Sequence, residues 1–363
     1  MKMYIFLSIV ILLALFTFFV INLPVFGKLP AGNRLEKIKE LPNYQDGEIK
    51  NQSFTPVKPE GVSYWDMLSK VMAGNKDGTP KNIIPHQKPD FSNSEQLKLT
   101  WFGHSSYLIQ VDGINILVDP IFSERTSPFQ FLGTKRFAGT DFINIEDFPP
   151  LNIILITHDH YDHLDYNAIL KLKNSRARFI TSLGVGAHLE HWGIESERIT
   201  ELAWQDEISP LANISFKAIP ARHFSGRLFK RNQTLWSSFI LKTKYNNLYL
   251  GGDSGYDTHF KEIGESHGPF DLAILECGQY NKMWPNIHMF PNEVALASKD
   301  LNAKYLLPVH WGKYRLALHN WDESVNGVVK SSFDLNVDVL TPQLGETFNL
   351  ENNLPKNKWW INL

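Results

Sequence analysis

The stretch that most constrains this chain is Thr157-His158-Asp159-His160-Tyr161-Asp162-His163-Leu164-Asp165, which follows directly on the apolar run Asn152-Ile153-Ile154-Leu155-Ile156. A short, largely apolar run of this kind reads as a buried strand, so the polar stretch sits on the end of a sheet. Three imidazoles and a carboxylate within six positions cannot pack together without partners. Each ring needs a hydrogen bond or a metal, and Asp162 needs a counter-charge. A divalent cation meets all of these needs at once, because imidazole and carboxylate are its common ligands at catalytic sites. Ligands on the rim of a rigid sheet are also held in place, as those on a free loop are not.

The pattern His158-x-His160-x-Asp162-His163 resembles the signature of the metallo-β-lactamase superfamily. That resemblance implies three further ligands downstream: a His closing a later strand, an Asp after a Gly, and a His toward the C-terminus. The chain carries them in that order. They are His223 in Ile219-Pro220-Ala221-Arg222-His223, Asp253 in Leu250-Gly251-Gly252-Asp253-Ser254-Gly255, and His310 in Leu307-Pro308-Val309-His310-Trp311. By the family's pattern His158, His160 and His223 hold one ion, Asp162, His163 and His310 hold a second, and Asp253 bridges the two. Paired ions can share a hydroxide, since metal binding brings the pKa of water to about 7. Asp162 and Asp253 are thereby expected in the catalytic machinery as well as in the metal set. Nitrogen and oxygen ligands without thiolate suit two Zn2+ ions best, with Fe or Mn as alternatives.

A formal charge of −2 over 363 residues supplies no basic stripe, so nucleic acid is not an expected partner. The single cysteine, Cys277, excludes an intrachain disulfide and reads as a small apolar strand residue. Tyr4 to Ile21 is apolar except for Ser8 and Thr17. A membrane-crossing helix needs about 20 such residues, whereas the apolar core of a secretory peptide has about 7 to 15. Residues 1–27 are therefore expected to be an N-terminal membrane anchor, with a signal peptide cleaved near Val25-Phe26-Gly27 as the alternative. Lys28, Arg34, Lys37 and Lys39 outnumber Lys2 across the span, which favours a catalytic part facing the cytosol. Residues 28–96, rich in Pro, Gly, Asn and Lys, read as a linker and extension wrapping the domain. Residues 97–363 read as the hydrolase domain.

Within that domain, Leu97–Trp101, Ser106–Val111 and Ile114–Val118 are expected strands, the last two joined by an Asp112-Gly113 turn. Arg178–Thr181, Ile214–Ile219, Trp236–Thr243, Leu248–Gly251, Asp271–Glu276 and Tyr305–Val309 are further strands. Tyr166–Lys173, Gly186–Trp192 and Asn292–Leu301 are expected helices. Hairpin-linked strands early and strand–helix alternation later suit an α/β (α+β) chain of two mixed sheets stacked face to face, with helices outside. The resemblance implies that arrangement, a four-layer αββα sandwich with its ligands at one edge. Here an N-terminal transmembrane helix precedes it.

Around the ligand set, Asp119 is placed to accept the free ring N–H of a ligand His. His104 and His288 are candidates for touching substrate or moving a proton, His288 the more direct of the two, and His104 reads equally as a structural His. Asp159 and Asp165 read as supporting or helix-capping carboxylates. His86, His188, His191, His259, His267 and His319 read as ordinary core or surface residues. Several segments are similar to the branch of N-acyl-phosphatidylethanolamine-hydrolysing phospholipase D: Asp119-Pro120-Ile121-Phe122-Ser123-Glu124-Arg125, Arg222-His223-Phe224-Ser225-Gly226-Arg227, Gly252-Asp253-Ser254-Gly255-Tyr256 and Pro308-Val309-His310-Trp311-Gly312. The similarity implies a phospholipid substrate, a membrane setting, and cleavage to N-acylethanolamine and phosphatidic acid. Trp101-Phe102-Gly103-His104-Ser105-Ser106 is also similar to ascorbate-6-phosphate lactonase relatives, which makes a zinc hydrolase of another ester or lactone the alternative. In diiron relatives an acidic residue replaces one loop imidazole; this chain has His160 there.

Overall fold

The computed structural model describes residues 2–56, 58–352 and 354–363. Helix α1 (Lys2–Ile21) is long and apolar enough to cross a membrane, and none of its residues is buried against the rest of the chain. After it come α2 (Asn33–Lys39), a two-stranded ribbon of β1 (Tyr44–Gln45) and β2 (Glu48–Ile49), and α3 (Tyr64–Ala73), which a Ser63–Asp66 capping box starts. Residues in this N-terminal stretch lie on the surface of the downstream domain. Arg34 pairs with Glu190 and Glu201, and Ile38 and Ile49 fill a small core with Leu183, Leu235 and Trp236.

The next elements are β3 (Lys98–Trp101), β4 (Tyr107–Val111), β5 (Ile114–Val118), β6 (Ile153–Ile156), α4 (Tyr166–Leu172), β7 (Arg178–Ser182), α5 (Gly186–His191) and β8 (Ile199–Leu202). A second series comprises β9 (Glu207–Leu211), β10 (Ile214–Pro220), β11 (Ser237–Lys242), β12 (Asn247–Leu250), α6 (His259–His267), β13 (Phe270–Glu276), α7 (Pro291–Asp300) and β14 (Ala303–Val309). Helix α8 (Glu323–Leu335), β15 (Asp338–Val339) and β16 (Thr347–Asn349) complete the fold. The first sheet runs β16-β3-β4-β5-β6-β7-β8 and the second β15-β14-β13-β12-β11-β10-β9. Each combines three antiparallel pairings with three parallel ones.

Alternation along the strands makes two cores. In β4 to β6, Tyr107, Ile109, Ile116, Val118, Ile153 and Leu155 face the second sheet, while Leu108, Leu117, Ile154 and Ile156 face outward onto Ile169, Leu172 and Leu189 of α4 and α5. On the other side Phe260, Val294, Ala297, Val325 and Val328 of α6, α7 and α8 pack on the second sheet. The result is the mixed α/β sandwich of two sheets between helices that the strand pattern predicts. Because parallel strands share a direction, β5 and β6 of one sheet and β12, β13 and β14 of the other end on the same edge. Their C-terminal residues are thereby brought together from 119 to 310 in the chain.

Candidate metal centre

The site grows out of those strand ends. β6 delivers His158 to His163, β10 leads to His223, β12 to Asp253 and β14 to His310. Gly252 gives Asp253 its position: a Cβ at Gly252 would lie 2.6 Å from the Ser237 carbonyl oxygen, so a side chain would prise β12 from β11. His310 takes φ +68 and Asp119 φ +38, left-handed backbone that bulky residues enter only where the surroundings over-determine it.

His158, His160 and His223 form one group whose ring nitrogens converge. His158 Nε2 is 2.9 Å from His160 Nδ1, and His223 Nε2 is 3.2 Å from the same atom. Asp162, His163 and His310 form a second group together with His104. His310 Nε2 lies 3.2 Å and His163 Nε2 3.7 Å from Asp162 Oδ2. Asp253 stands between the groups, 3.2 Å from His163 Nε2, 3.4 Å from His310 Nε2, 3.7 Å from His223 Nε2 and 4.0 Å from His158 Nε2. Every residue that the resemblance singled out as a ligand is thus part of one cluster.

The chemistry of this cluster fits divalent cations. His163 Nε2 and Asp253 Oδ1, two of the converging atoms, are buried without a hydrogen-bond partner, which is costly for polar atoms unless something else engages them. Burial, reinforced by neighbouring rings, holds His158 and His223 well below the usual imidazole range, leaving lone pairs free to coordinate. Burial opposes charge on His163, yet Asp253, Asp162 and Asp119 raise it well above that range: three carboxylates around one ring call for positive charge, which a cation at Nε2 would supply in place of a proton. Burial would raise Asp253, but His163 and His310 keep it well below the carboxylate range, as an anion among imidazoles.

Supporting side chains fix the rings. Asp119 Oδ2 accepts from His163 Nδ1 at 2.8 Å and from Thr157 Oγ1 at 2.7 Å, while its Oδ1 accepts from the Thr157 backbone N–H at 2.8 Å. The His223 Nδ1–H donates to the Ile287 carbonyl at 2.8 Å. His104 is fully buried; its Nε2 lies 3.0 Å from Asp162 Oδ2, so it orients that carboxylate and does not face the cleft. Asp165 caps α4 and accepts from Ser123, as a capping carboxylate should. His288 stacks on His310 at 5.3 Å and keeps 12% of its side chain exposed.

Four buried polar neighbours of the cluster escape a reading of the sequence alone. Glu276, the last residue of β13, is buried with Oε1 3.5 Å from His288 Nδ1; burial and then Asp253 push it well above the carboxylate range. His188, which reads from the sequence as an ordinary core or surface residue, is a buried one with Nε2 3.2 Å from Asp159 Oδ2. Arg227 is buried against the same loop, donating to the Asp159 and Leu164 carbonyls. Lys313 is buried behind His104, donating to the carbonyls of Ile121 at 2.7 Å and Phe102 at 3.2 Å.

Burial, and after it Arg136, lowers the Lys313 amine to about 7. From there up to the ordinary amine range, the unfolded chain binds a proton that the folded chain lacks, so this group makes stability rise with pH. Below that window both states hold the proton and the slope vanishes. Lys313→Met should therefore flatten the rise of the urea midpoint between about pH 7 and 10. A variant whose midpoint climbs as steeply as the parent's would refute the assignment.

The cluster opens into a cleft of about 260 Å3 lined by His160, Asp162, His223, Asp253, His288 and His310, with Phe224, Trp284, Ile287, Leu316 and Arg231 around them. A larger, open depression of about 910 Å3 between residues 31–41 and β8 contains none of these groups. Converging ligand atoms, not volume, mark the smaller one as the site.

Fold and site together define a metal-dependent hydrolase. Residues 114–311 match the family described as the β-lactamase superfamily domain, and the chain belongs to that superfamily. An uncharacterized protein of Mycobacterium tuberculosis is 37% identical over 89% of this chain and 88% of its own length. The N-acyl-phosphatidylethanolamine-hydrolyzing phospholipase D 1 of Caenorhabditis elegans is 31% identical over 71% of this chain and 77% of its own. Among solved structures, the metallo hydrolase Igni18 of Ignicoccus hospitalis superposes with a TM-score of 0.53 at 21% identity, covering 71% of this chain and 99% of that one. Within the superfamily, this chain falls in the branch typified by the phospholipase D enzymes.

Proposed function

We propose that the chain is a dinuclear zinc hydrolase of phospholipase D type. It cleaves N-acyl-phosphatidylethanolamine-like lipids to N-acylethanolamine and phosphatidic acid. The observation that carries this reading is the meeting of two ligand groups over one carboxylate, Asp253, on the floor of a cleft rimmed by Arg231 and apolar side chains. The name of the nematode relative supports the lipid class. On this reading His158, His160 and His223 form one ligand set, Asp162, His163 and His310 the other, and Asp253 is shared. Held there, paired cations would bring the pKa of water toward 7 and offset charge on the attacked and departing oxygens.

The protein's own groups do the rest. Arg231, lying 4.9 Å over the Phe224 ring, presents a guanidinium at the rim to an anionic phosphate. Phe224, Trp284 and Leu316 give acyl chains an apolar wall. His288 faces the cleft beside Asp253; burial lowers it to about 3, so it stays neutral and is placed to hydrogen-bond the departing ethanolamine oxygen, which takes up the proton that the attacking water loses as it adds to phosphorus. Residues 1–27 serve as a membrane anchor, 28–96 as an extension over the sandwich and 97–363 as the hydrolase domain. The anchor would keep the site close to its lipid, raising effective concentration.

Mass spectrometry of lipids incubated with zinc-replete full-length chain should show phosphatidic acid and N-acylethanolamine rising together. Prior stripping with a chelator should abolish both, and added zinc should restore them. Lactone opening without phosphatidic acid release would move the site to a different ester, and full turnover by stripped protein would exclude metal catalysis.

A further inference from the structure

The chain leaving α1 does not swing free of the sandwich. Trp192 Nε1 donates to the Pro24 carbonyl at 2.7 Å, Arg227 Nη2 to the Val25 carbonyl at 3.0 Å, and the Lys28 backbone N–H to His188 Nδ1 at 3.0 Å. Two of these partners reach onward to the loop that carries the imidazoles. Because His188 Nδ1 accepts from Lys28, its Nε2 carries the proton and donates to Asp159 Oδ2, 3.2 Å away. Asp159 lies between His158 and His160, and its carboxylate also accepts from the Gly226 N–H at 2.7 Å and Thr234 Oγ1 at 2.9 Å. Arg227 Nη1 donates to the Asp159 carbonyl at 2.9 Å and to the Leu164 carbonyl at 2.8 Å, bracketing the loop at both ends. Its guanidinium is stacked over Tyr161 at 4.1 Å and Trp192 at 5.1 Å.

Gly27 makes the close approach possible. It takes φ +74, and a Cβ there would stand 2.0 Å from His188 Nδ1. No side chain fits without displacing the ring that holds Asp159.

We propose that the exit segment Pro24–Lys28 of the anchoring helix is a positioning element for the metal loop, acting through His188 and Arg227. This rests on the reading that the loop holds metal ions. A loop locked before the ions arrive gives up less conformational freedom on binding them, so loosening the lock lowers affinity. Anchor and metal centre are then one mechanical unit, and severing the chain at Gly27 would slacken the centre as well as release it from a membrane.

The test uses the full-length chain in detergent, with Gly27→Ala, His188→Ala, the double variant and Trp192→Phe, which removes the donor to Pro24 and keeps an aromatic ring beneath Arg227. Two quantities are read: the rate at which bound zinc passes to a chromophoric chelator, and deuterium uptake by the 158–164 amides in stripped protein. Gly27→Ala should speed release by about tenfold or more, as loss of outer support at metal sites does. It should also raise uptake at 158–164 while β13 and β14 stay protected. Trp192→Phe should move both in the same direction. In the His188→Ala background, where the ring is gone, adding Gly27→Ala should change release less than about twofold. Wild-type release and uptake in Gly27→Ala, multiplicative effects in the double variant, or loss of protection in β13 and β14 would overturn the proposal. A parent chain that holds no ions would remove the metal reading and this inference with it; a parent that holds them beside an indifferent Gly27→Ala would remove the inference alone.

Discussion

Asp253→Ala is expected to lower kcat/KM for the proposed lipid substrate by roughly 10³-fold or more while the chain stays folded, since on the proposed two-ion reading it loses the shared ligand and with it several kcal/mol of charge stabilisation. Asp253 faces His158, His163, His223, His288 and His310, all within 4.0 Å. No other carboxylate among the described residues reaches both ligand groups in this way. The residue lies beyond the end of β12, outside the contacts that hold the two sheets together, so its removal leaves the core intact. Asp253→Asn, which keeps the shape and loses the charge, should fail as well. Steady-state rates beside thermal melts separate the two effects, and a variant that keeps near-parental turnover would disprove the assignment.

Asp119→Ala should weaken metal affinity by about 10- to 100-fold, the usual consequence of removing an outer carboxylate from a ligand His. It should also cost about 1–3 kcal/mol of stability, because the buried Thr157 N–H loses its acceptor. One carboxylate here holds the ring of His163 and the backbone where β6 turns into the metal loop, so two properties fall together. Chelator competition and urea unfolding read them separately. Unchanged affinity beside reduced stability would make Asp119 a strand-ending residue with no part in the centre.

How much of the centre is legible in the sequence depends on how local the signal is. The loop from His158 to His163 reads directly, because its ligands are crowded into six positions behind a strand. His223, Asp253 and His310 each close an apolar strand, so the resemblance finds them one at a time. Asp119 is legible for the same reason. His188, Arg227, Glu276 and Lys313 are not: each sits within a helix, loop or strand end whose neighbours say nothing of the loop it meets across the fold.

The strands β3 to β7 and β10 to β14 match their expected ranges closely, since alternating or continuous apolar runs mark them. The edge strands β8 and β9 escape the pattern because they are half exposed and β9 carries Pro210. Helix α8 escapes it because Gly327 and several serines dilute its apolar stripe, and β15 and β16 are too short to carry a period. The N-terminal stretch is expected to wrap the domain, but the small core that it builds around Trp236 depends on residues nearly two hundred positions away.

Whether the cluster holds paired cations is read by elemental analysis of the full-length chain purified without chelators, beside Asp253→Ala. About two transition-metal ions are expected per parental chain, zinc foremost, with a marked loss in the variant. A parental chain free of such ions, or a variant that retains the full complement, would contradict that expectation.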